Sequence, residues 1–172
     1  MWKPSRRIVI AFFITAVSGA ALHFLFTLLP SIPTALFSPV QESVWEHVKI
    51  IYWPFLVSSL LLTRGGSKSC RTPWALSLLI ICALMLLAGY IYNITFYGDN
   101  MAVNIVIYTV AMAVGFLLPS LLWRSAASKW SSAVFFAVIV LGVAILLFTF
   151  IPPEGVLFDD LSSAGAWSVI PY

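Results

Sequence analysis

Charged side chains are scarce in this sequence. They make up 9% of its 172 residues, whereas hydrophobic residues make up 62%. Soluble globular domains carry about 25% charged residues. The composition therefore excludes a soluble globule and predicts an integral membrane protein, and the length suits a single transmembrane domain over residues 1–172.

Cysteine and histidine are also rare, with two residues of each. Cys70 falls in a polar connection and Cys82 in an apolar run, so no disulfide is predicted. His23 and His47 do not form a His-x-x-x-His or His-Glu-x-x-His metal motif. No cofactor is therefore predicted, and zinc stays an alternative that requires ligands from different helices.

Long apolar runs fill most of the chain. A transmembrane helix needs about 20 predominantly apolar residues. Five segments can meet this requirement, at residues 8–29, 39–63, 74–97, 101–123 and 133–151. The sequence thus predicts an all-α bundle of five transmembrane helices, followed by an extracytoplasmic tail at 152–172.

The distribution of charge predicts the orientation of this bundle. Of the nine basic residues, eight lie on one side of a five-helix weave. They are Lys3, Arg6, Arg7, Arg64, Lys68, Arg71, Arg124 and Lys129. The positive-inside rule makes that side cytoplasmic and places the protein in the plasma (inner) membrane, with its N-terminus inside and its C-terminus outside. Since the basic residues follow topology, no nucleic-acid partner is predicted.

The second predicted helix begins with a capping pattern. Ser38, Pro39 and Gln41 match an N-cap, a proline at the first helical position and a capping-box partner. We therefore expect one helix from Pro39 to Thr63, which Pro54 kinks without ending.

Helical spacing within this segment brings ionisable groups together. Glu42, Glu46 and Lys49 fall on one stripe, Trp45 lies beside them, and His47 lies on the adjoining flank. A pair of carboxylates, a lysine and an imidazole would then enter the membrane edge together. Ionisable groups at such a depth are functional candidates by default.

Further polar residues come from other helices at a similar depth. The candidate catalytic residues are Glu42, Glu46, His47, Lys49 and His23, and the candidate binding residues are Trp45, Asn93, Asn104, Tyr90, Tyr108 and Asp160. An aromatic belt with helix–helix hydrogen bonds is the simpler interpretation of the tyrosines and asparagines. The apolar and acidic alternation at 157–160 suggests a tail that folds back over the polar groups.

The stretch around the second helix resembles a known family signature. Small prokaryotic multi-pass membrane proteins of unknown function share a Pro-Val-Asn-Glu-Ser-x-Trp-Glu-His motif. The matching run here is Phe37-x-Pro39-Val40-Gln41-Glu42-Ser43-x-Trp45-Glu46-His47-x-Lys49, and the similarity extends to His23-Phe24 and to Phe150-x-Pro152-Pro153-x-x-x-Leu157-Phe158-x-Asp160. This resemblance implies a functional motif but supplies no activity.

Several functions fit this pattern, and whether the protein is an enzyme stays open. The leading hypothesis is an enzyme that acts on a lipidic or amphipathic substrate in the outer leaflet. Repulsion between Glu42 and Glu46 would make an acid/base pair, or His23 and His47 with Glu46 or Glu42 would bind zinc. The alternatives are binding or transport of a small molecule, an ion or protons, and a membrane scaffold. The expected partners are the lipid bilayer and one such ligand, and a homodimer is left open.

Overall fold

The computed structural model describes residues 6–122 and 129–161, and this part of the chain is helical, with no β-strand. Six α-helices follow one another, and the fourth ends in a π-helical turn. The helices are α1 (Arg6–Leu28), α2 (Ile32–Phe37), α3 (Val48–Leu62), α4 (Lys68–Gly89, continued by the π-turn Tyr90–Thr95), α5 (Met101–Leu122) and α6 (Ser131–Phe150).

Four of the described helices are long and apolar enough to cross a membrane by length and composition. They are α1, the combined segment Cys70–Thr95, α5 and α6. Their outward surfaces carry exposed apolar side chains such as Val17, Leu121 and Phe136, which suits contact with lipid. The chain is accordingly a multi-pass membrane protein.

The prediction of one helix over 39–63 is wrong, because α3 begins only at Val48. Ser38 ends α2 instead of starting the next helix. Its hydroxyl donates to the Leu22 carbonyl at 2.5 Å and accepts from the Phe26 amide at 3.0 Å, so contacts with α1 occupy the side chain that the capping pattern required. With 15 residues and a length of roughly 22 Å, α3 is shorter than a hydrocarbon core of about 30 Å. Four of the five predicted spans therefore correspond to long apolar helices, and the remaining one corresponds to a helix that is too short to be a candidate span by length.

The structure has a capping box at the start of α2 and not at Ser38, where the sequence pattern predicted one. Ser31 and Thr34 bond reciprocally at the start of α2, and Pro33 occupies an early helical position. Residues 32–37, which lie between the first two predicted spans, thus form a short helix. This helix and residues 38–47, called the 38–47 loop below, join α1 to α3.

The core surrounds α3. Ile51 and Phe55 on α3 are fully buried, together with Ile81 on α4 and Met112 on α5. Small residues allow these helices to approach closely: a Cβ atom at Gly19 would meet the Tyr108 hydroxyl and the Ile50 carbonyl. The helix that contributes Ile51 and Phe55 to the core is therefore shorter than the four long helices that pack against it.

The described part of the tail, residues 152–161, folds back onto the 38–47 loop. The Trp45 amide donates to the Leu157 carbonyl at 2.9 Å, and the Leu161 amide donates to the Glu42 carbonyl at 3.0 Å. The rest of the predicted tail, at 162–172, lies outside the described residues, as do Lys3 and Arg124.

Candidate functional site

Three side chains from different parts of the fold meet at one end of the bundle. His23 projects from the C-terminal part of α1, Glu42 from the middle of the 38–47 loop, and His47 from its end, just before α3. We call this group the His–Glu–His cluster. Sequence analysis named all three residues, but only the packing of α1 against α3 brings His23 to the other two.

Glu42 lies between the two imidazoles. Its Oε2 atom is 3.2 Å from Nε2 of His47 and 3.8 Å from Nε2 of His23. The two imidazole rings are 5.1 Å apart between centroids, in an edge-to-face arrangement. The same carboxylate oxygen therefore lies within ion-pair distance of both histidines.

The backbone fixes the orientation of His47. Its Nδ1 atom is 2.7 Å from the carbonyl oxygen of Ser43, four residues earlier in the loop. Because a carbonyl oxygen only accepts hydrogen bonds, Nδ1 must carry a proton. The proton that His47 gains or loses is therefore on Nε2, the atom that faces Glu42. Ser43 is a residue whose role sequence reasoning missed, although its spacing of four residues from His47 is visible in the sequence.

The two paired groups shift each other's protonation. The hydrogen bond from His47 lowers the pKa of Glu42 below its usual value, although burial opposes this effect. Burial by itself lowers the pKa of His47, but the hydrogen bonds to Glu42 and to the Ser43 carbonyl, with the charges of Glu42 and Glu46, raise it above its usual value. An ionised Glu42 beside a protonated His47 is therefore favoured.

The cluster is accessible on one side. The exposed fraction of the side chain is 18% for His47, 26% for His23 and 47% for Glu42. Exposed apolar residues lie nearby, among them Phe24, whose ring is 5.0 Å from that of His23. The polar cluster therefore borders an apolar surface.

Glu46 and Lys49 form a separate buried ion pair. Lys49 Nζ lies 2.5 Å from Glu46 Oε2 and also donates to the carbonyls of Ala35 at 2.9 Å and Ser38 at 3.3 Å. The same Glu46 oxygen accepts a hydrogen bond from the Val40 amide at 2.9 Å. All three donors of the ammonium group are used. The structure thus pairs Glu42 with His47 and Glu46 with Lys49, where the sequence suggested two repelling carboxylates.

Trp45 and the tail cover one flank of the 38–47 loop. The Trp45 ring contacts those of Phe148 and Phe158, with centroids at 5.4 and 5.2 Å. Gln41 donates from its side-chain amide to the Phe158 carbonyl at 2.6 Å, a role that the sequence did not reveal. The Trp45 Nε1 atom is buried without a hydrogen-bond partner among the described residues.

The other predicted binding residues lie on α5, in the π-turn and in the tail. The hydroxyl of Tyr108 donates to the Ala16 carbonyl at 2.8 Å, which joins α5 to α1. Asn93 and Tyr90 lie in the π-turn, where Tyr90 is exposed. Asn104 is half-buried on α5, and Asp160 precedes the tail residue whose amide bonds to Glu42.

The His–Glu–His cluster also has the composition of a metal-binding group. One ligand atom from each of the three residues lies within 4.8 Å of the others. Sequence analysis named Glu46 and Glu42 as alternative carboxylate ligands beside the histidines. The structure places Glu42 next to both histidines and pairs Glu46 with Lys49.

Comparison with known proteins places the chain in a family without giving it an activity. The model of a family described as "Family of unknown function (DUF6512)" matches residues 1–168. No curated protein and no solved structure matches the chain.

Proposed function

The chain belongs to this family of unknown function, and we propose, from the geometry of its cluster, that it is a membrane enzyme acting on a lipidic or amphipathic substrate by acid/base chemistry. The observation that carries the proposal is the contact of 3.2 Å between His47 Nε2 and Glu42 Oε2, with the Ser43 carbonyl on the other ring nitrogen. A base and its orienting group are thus within hydrogen-bond reach of each other.

Each residue has a defined role in this chemistry. His47, protonated beside the Glu42 carboxylate, gives the proton on Nε2 to the substrate and then takes a proton from another atom of the substrate, and Glu42 stabilises the imidazolium before and after these steps. The Ser43 carbonyl holds the ring in the required tautomer. Glu46 and Lys49, which sequence analysis placed among the catalytic residues, are positioning residues, because their ion pair holds the loop that carries Glu42 and His47.

We further propose that α3 crosses the membrane as a fifth span. Packing against α1, α4 and α5 buries eight of its 15 residues, so a short helix need not match the lipid thickness by itself. Arg6, Arg64, Lys68 and Lys129 then share one end of the bundle, which the positive-inside rule makes cytoplasmic. The cluster lies at the other end and faces outward from the plasma membrane.

The position of the cluster supports an amphipathic substrate. Its half-exposed polar atoms can reach a headgroup, while the exposed side chains of Phe24, Leu28 and Phe37 offer an apolar surface for the remainder of the molecule. A substrate with both parts would contact both surfaces at once.

The proposal is tested on lipids in vesicles. Purified full-length protein is reconstituted into vesicles of a mixed membrane-lipid extract in deuterated water. It should convert at least one lipid into an isomer that differs in chromatographic retention and carries deuterium, as followed by liquid chromatography with mass spectrometry. Glu42→Gln and His47→Gln should slow this conversion by about 100-fold or more, and Glu154→Gln, an exposed acid in the tail, should leave it unchanged. Unchanged lipids, or variants as fast as the original protein, would refute the enzyme and favour transport or a scaffold.

A further inference from the structure

The His–Glu–His cluster combines ligand types that zinc prefers. Zinc sites in enzymes commonly use two histidines and one carboxylate and leave a fourth position open for water. Three side chains of this kind converge here from α1 and the 38–47 loop. We propose that His23, Glu42 and His47 bind one zinc ion. The binding does not depend on the proposed function, but its catalytic meaning does, with a zinc-bound water in place of His47 as the group that transfers protons.

The distances fit a single ion with small side-chain movements. Tetrahedral ligands at about 2.1 Å from zinc lie about 3.4 Å from one another. The Glu42 oxygen is 3.2 Å from His47 Nε2 and 3.8 Å from His23 Nε2, and all three ligand atoms lie within 4.8 Å. Movements of the half-exposed side chains by about an ångström would bring all three to the ion.

A hydrogen bond to the backbone orients His47 as a metal ligand. Zinc-binding histidines usually donate from their other ring nitrogen to a carbonyl or carboxylate, which fixes the tautomer and the ring plane. His47 makes this contact through Nδ1 to the Ser43 carbonyl at 2.7 Å. Nε2, whose lone pair would bind the ion, therefore faces the Glu42 carboxylate, which would bind the same ion.

A bound dication would also balance the charges of the cluster. A single carboxylate oxygen faces two imidazoles, which cannot both become cationic without repelling each other at a centroid separation of 5.1 Å. Zinc binds both rings in their neutral form and pairs with the carboxylate. The partly exposed Glu42 leaves room for water as a fourth ligand, which zinc would activate for hydrolysis or hydration of the substrate.

Metal content tests the inference directly. The full-length protein is purified in detergent without a histidine tag, with zinc supplied throughout, and its zinc is measured by elemental analysis. We expect about one zinc per chain, at least tenfold weaker binding in His23→Ala and His47→Ala, and full binding in Cys70→Ser and Glu154→Gln, which remove other potential ligands. Folding of every variant is checked by its thermal unfolding midpoint.

Cobalt gives a readout that needs no variant. Co²⁺ added to the metal-free original protein should produce the intense visible absorption of a tetrahedral site, and zinc should displace it. A folded protein without stoichiometric zinc, or equal zinc in both histidine variants, would overturn the inference.

The two proposals fail in different ways. Lipid conversion by zinc-free protein that still depends on Glu42 and His47 would refute the zinc site as part of the mechanism and support the acid/base enzyme. Stoichiometric zinc without conversion of any lipid would leave the metal site and remove the enzyme.

Discussion

Glu42 and His47 each stabilise the charged form of the other, and the folded state gains from this only while both are charged. The pKa of Glu42 is lowered from a usual value of 4.5, and that of His47 is raised from 6.5. The Glu42 contribution is complete above about pH 4.5 and is lost as the pH falls through its folded pKa. The His47 contribution is complete below about pH 6.5 and is lost as the pH rises through its folded pKa.

The pair should therefore stabilise the metal-free protein most between about pH 4.5 and 6.5. We expect Glu42→Gln to lower the thermal unfolding midpoint more at pH 5.5 than at pH 9, measured in detergent with a chelator present. Glu154→Gln serves as the control and should shift the midpoint little at either pH. A Glu42→Gln effect of the same size at both pH values would contradict the charged pair.

At the scale of elements, one ion pair holds α2, the 38–47 loop and α3 together. Lys49 on α3 reaches the carbonyls of Ala35 in α2 and Ser38 at its end, while Glu46 holds the Val40 amide. The indole of Trp53 adds a hydrogen bond from α3 to the Leu36 carbonyl at 3.1 Å. The loop that carries Glu42 and His47 is thus fixed from both of its neighbours.

Breaking this pair should destabilise the protein strongly. Lys49→Met leaves the Glu46 carboxylate buried without its partner, so we expect a loss of about 3–5 kcal/mol in the free energy of unfolding. Replacing both partners, as Lys49→Met with Glu46→Leu, should recover part of this loss because no unpaired charge remains.

Unfolding in a denaturing detergent measures the change, and Lys68→Met, at an exposed lysine, is the matched control that should cost little. A double variant less stable than Lys49→Met alone would argue against the penalty of the unpaired carboxylate.

Local patterns predicted the long helices but not the loop between them. Apolar runs of transmembrane length reveal α1, α5 and α6, because burial in lipid depends on composition over many residues. Ser38 and Pro39 match a capping pattern, but the Ser38 hydroxyl bonds to the backbone of Leu22 and Phe26 and does not cap a helix. Those are tertiary contacts, which a local pattern does not reveal. The pairing of Glu46 with Lys49 and of Glu42 with His47 follows from the turn that this loop adopts in place of a helix.

The approach of His23 to His47 also needed the structure. It depends on the rotation of α1 about its axis and on the close contact of Gly19 with Ile50 and Tyr108. Half a turn of α1 would direct His23 to lipid, and no residue spacing distinguishes the two orientations.

At the scale of the whole molecule, the number of crossings determines where each connection lies. With five crossings and a cytoplasmic N-terminus, Ser67 lies inside, and Asp99 and Glu154 lie outside. If α3 did not cross, these three positions would exchange sides. All three are exposed in the structure and are suitable for labelling.

Cysteine labelling in intact cells distinguishes these arrangements. In a background with Cys70 and Cys82 replaced by serine, we expect a membrane-impermeant maleimide to label Asp99→Cys and Glu154→Cys from outside and Ser67→Cys only after lysis, because charged connections do not move across the bilayer freely. The opposite pattern would either reduce the protein to four crossings, with the cluster still outside, or invert the five-crossing bundle, which would move the cluster to the cytoplasmic face.

The bonds from the tail to the 38–47 loop have a consequence for biosynthesis. Translation produces His23, Glu42 and His47 early, but the Leu157 carbonyl and the Leu161 amide that bond to Trp45 and Glu42 emerge only after α6. A ribosome-bound chain that has formed α1, the 38–47 loop and α3 holds the cluster without these bonds. The bonds from the tail are therefore added to the site only after α6 has been made.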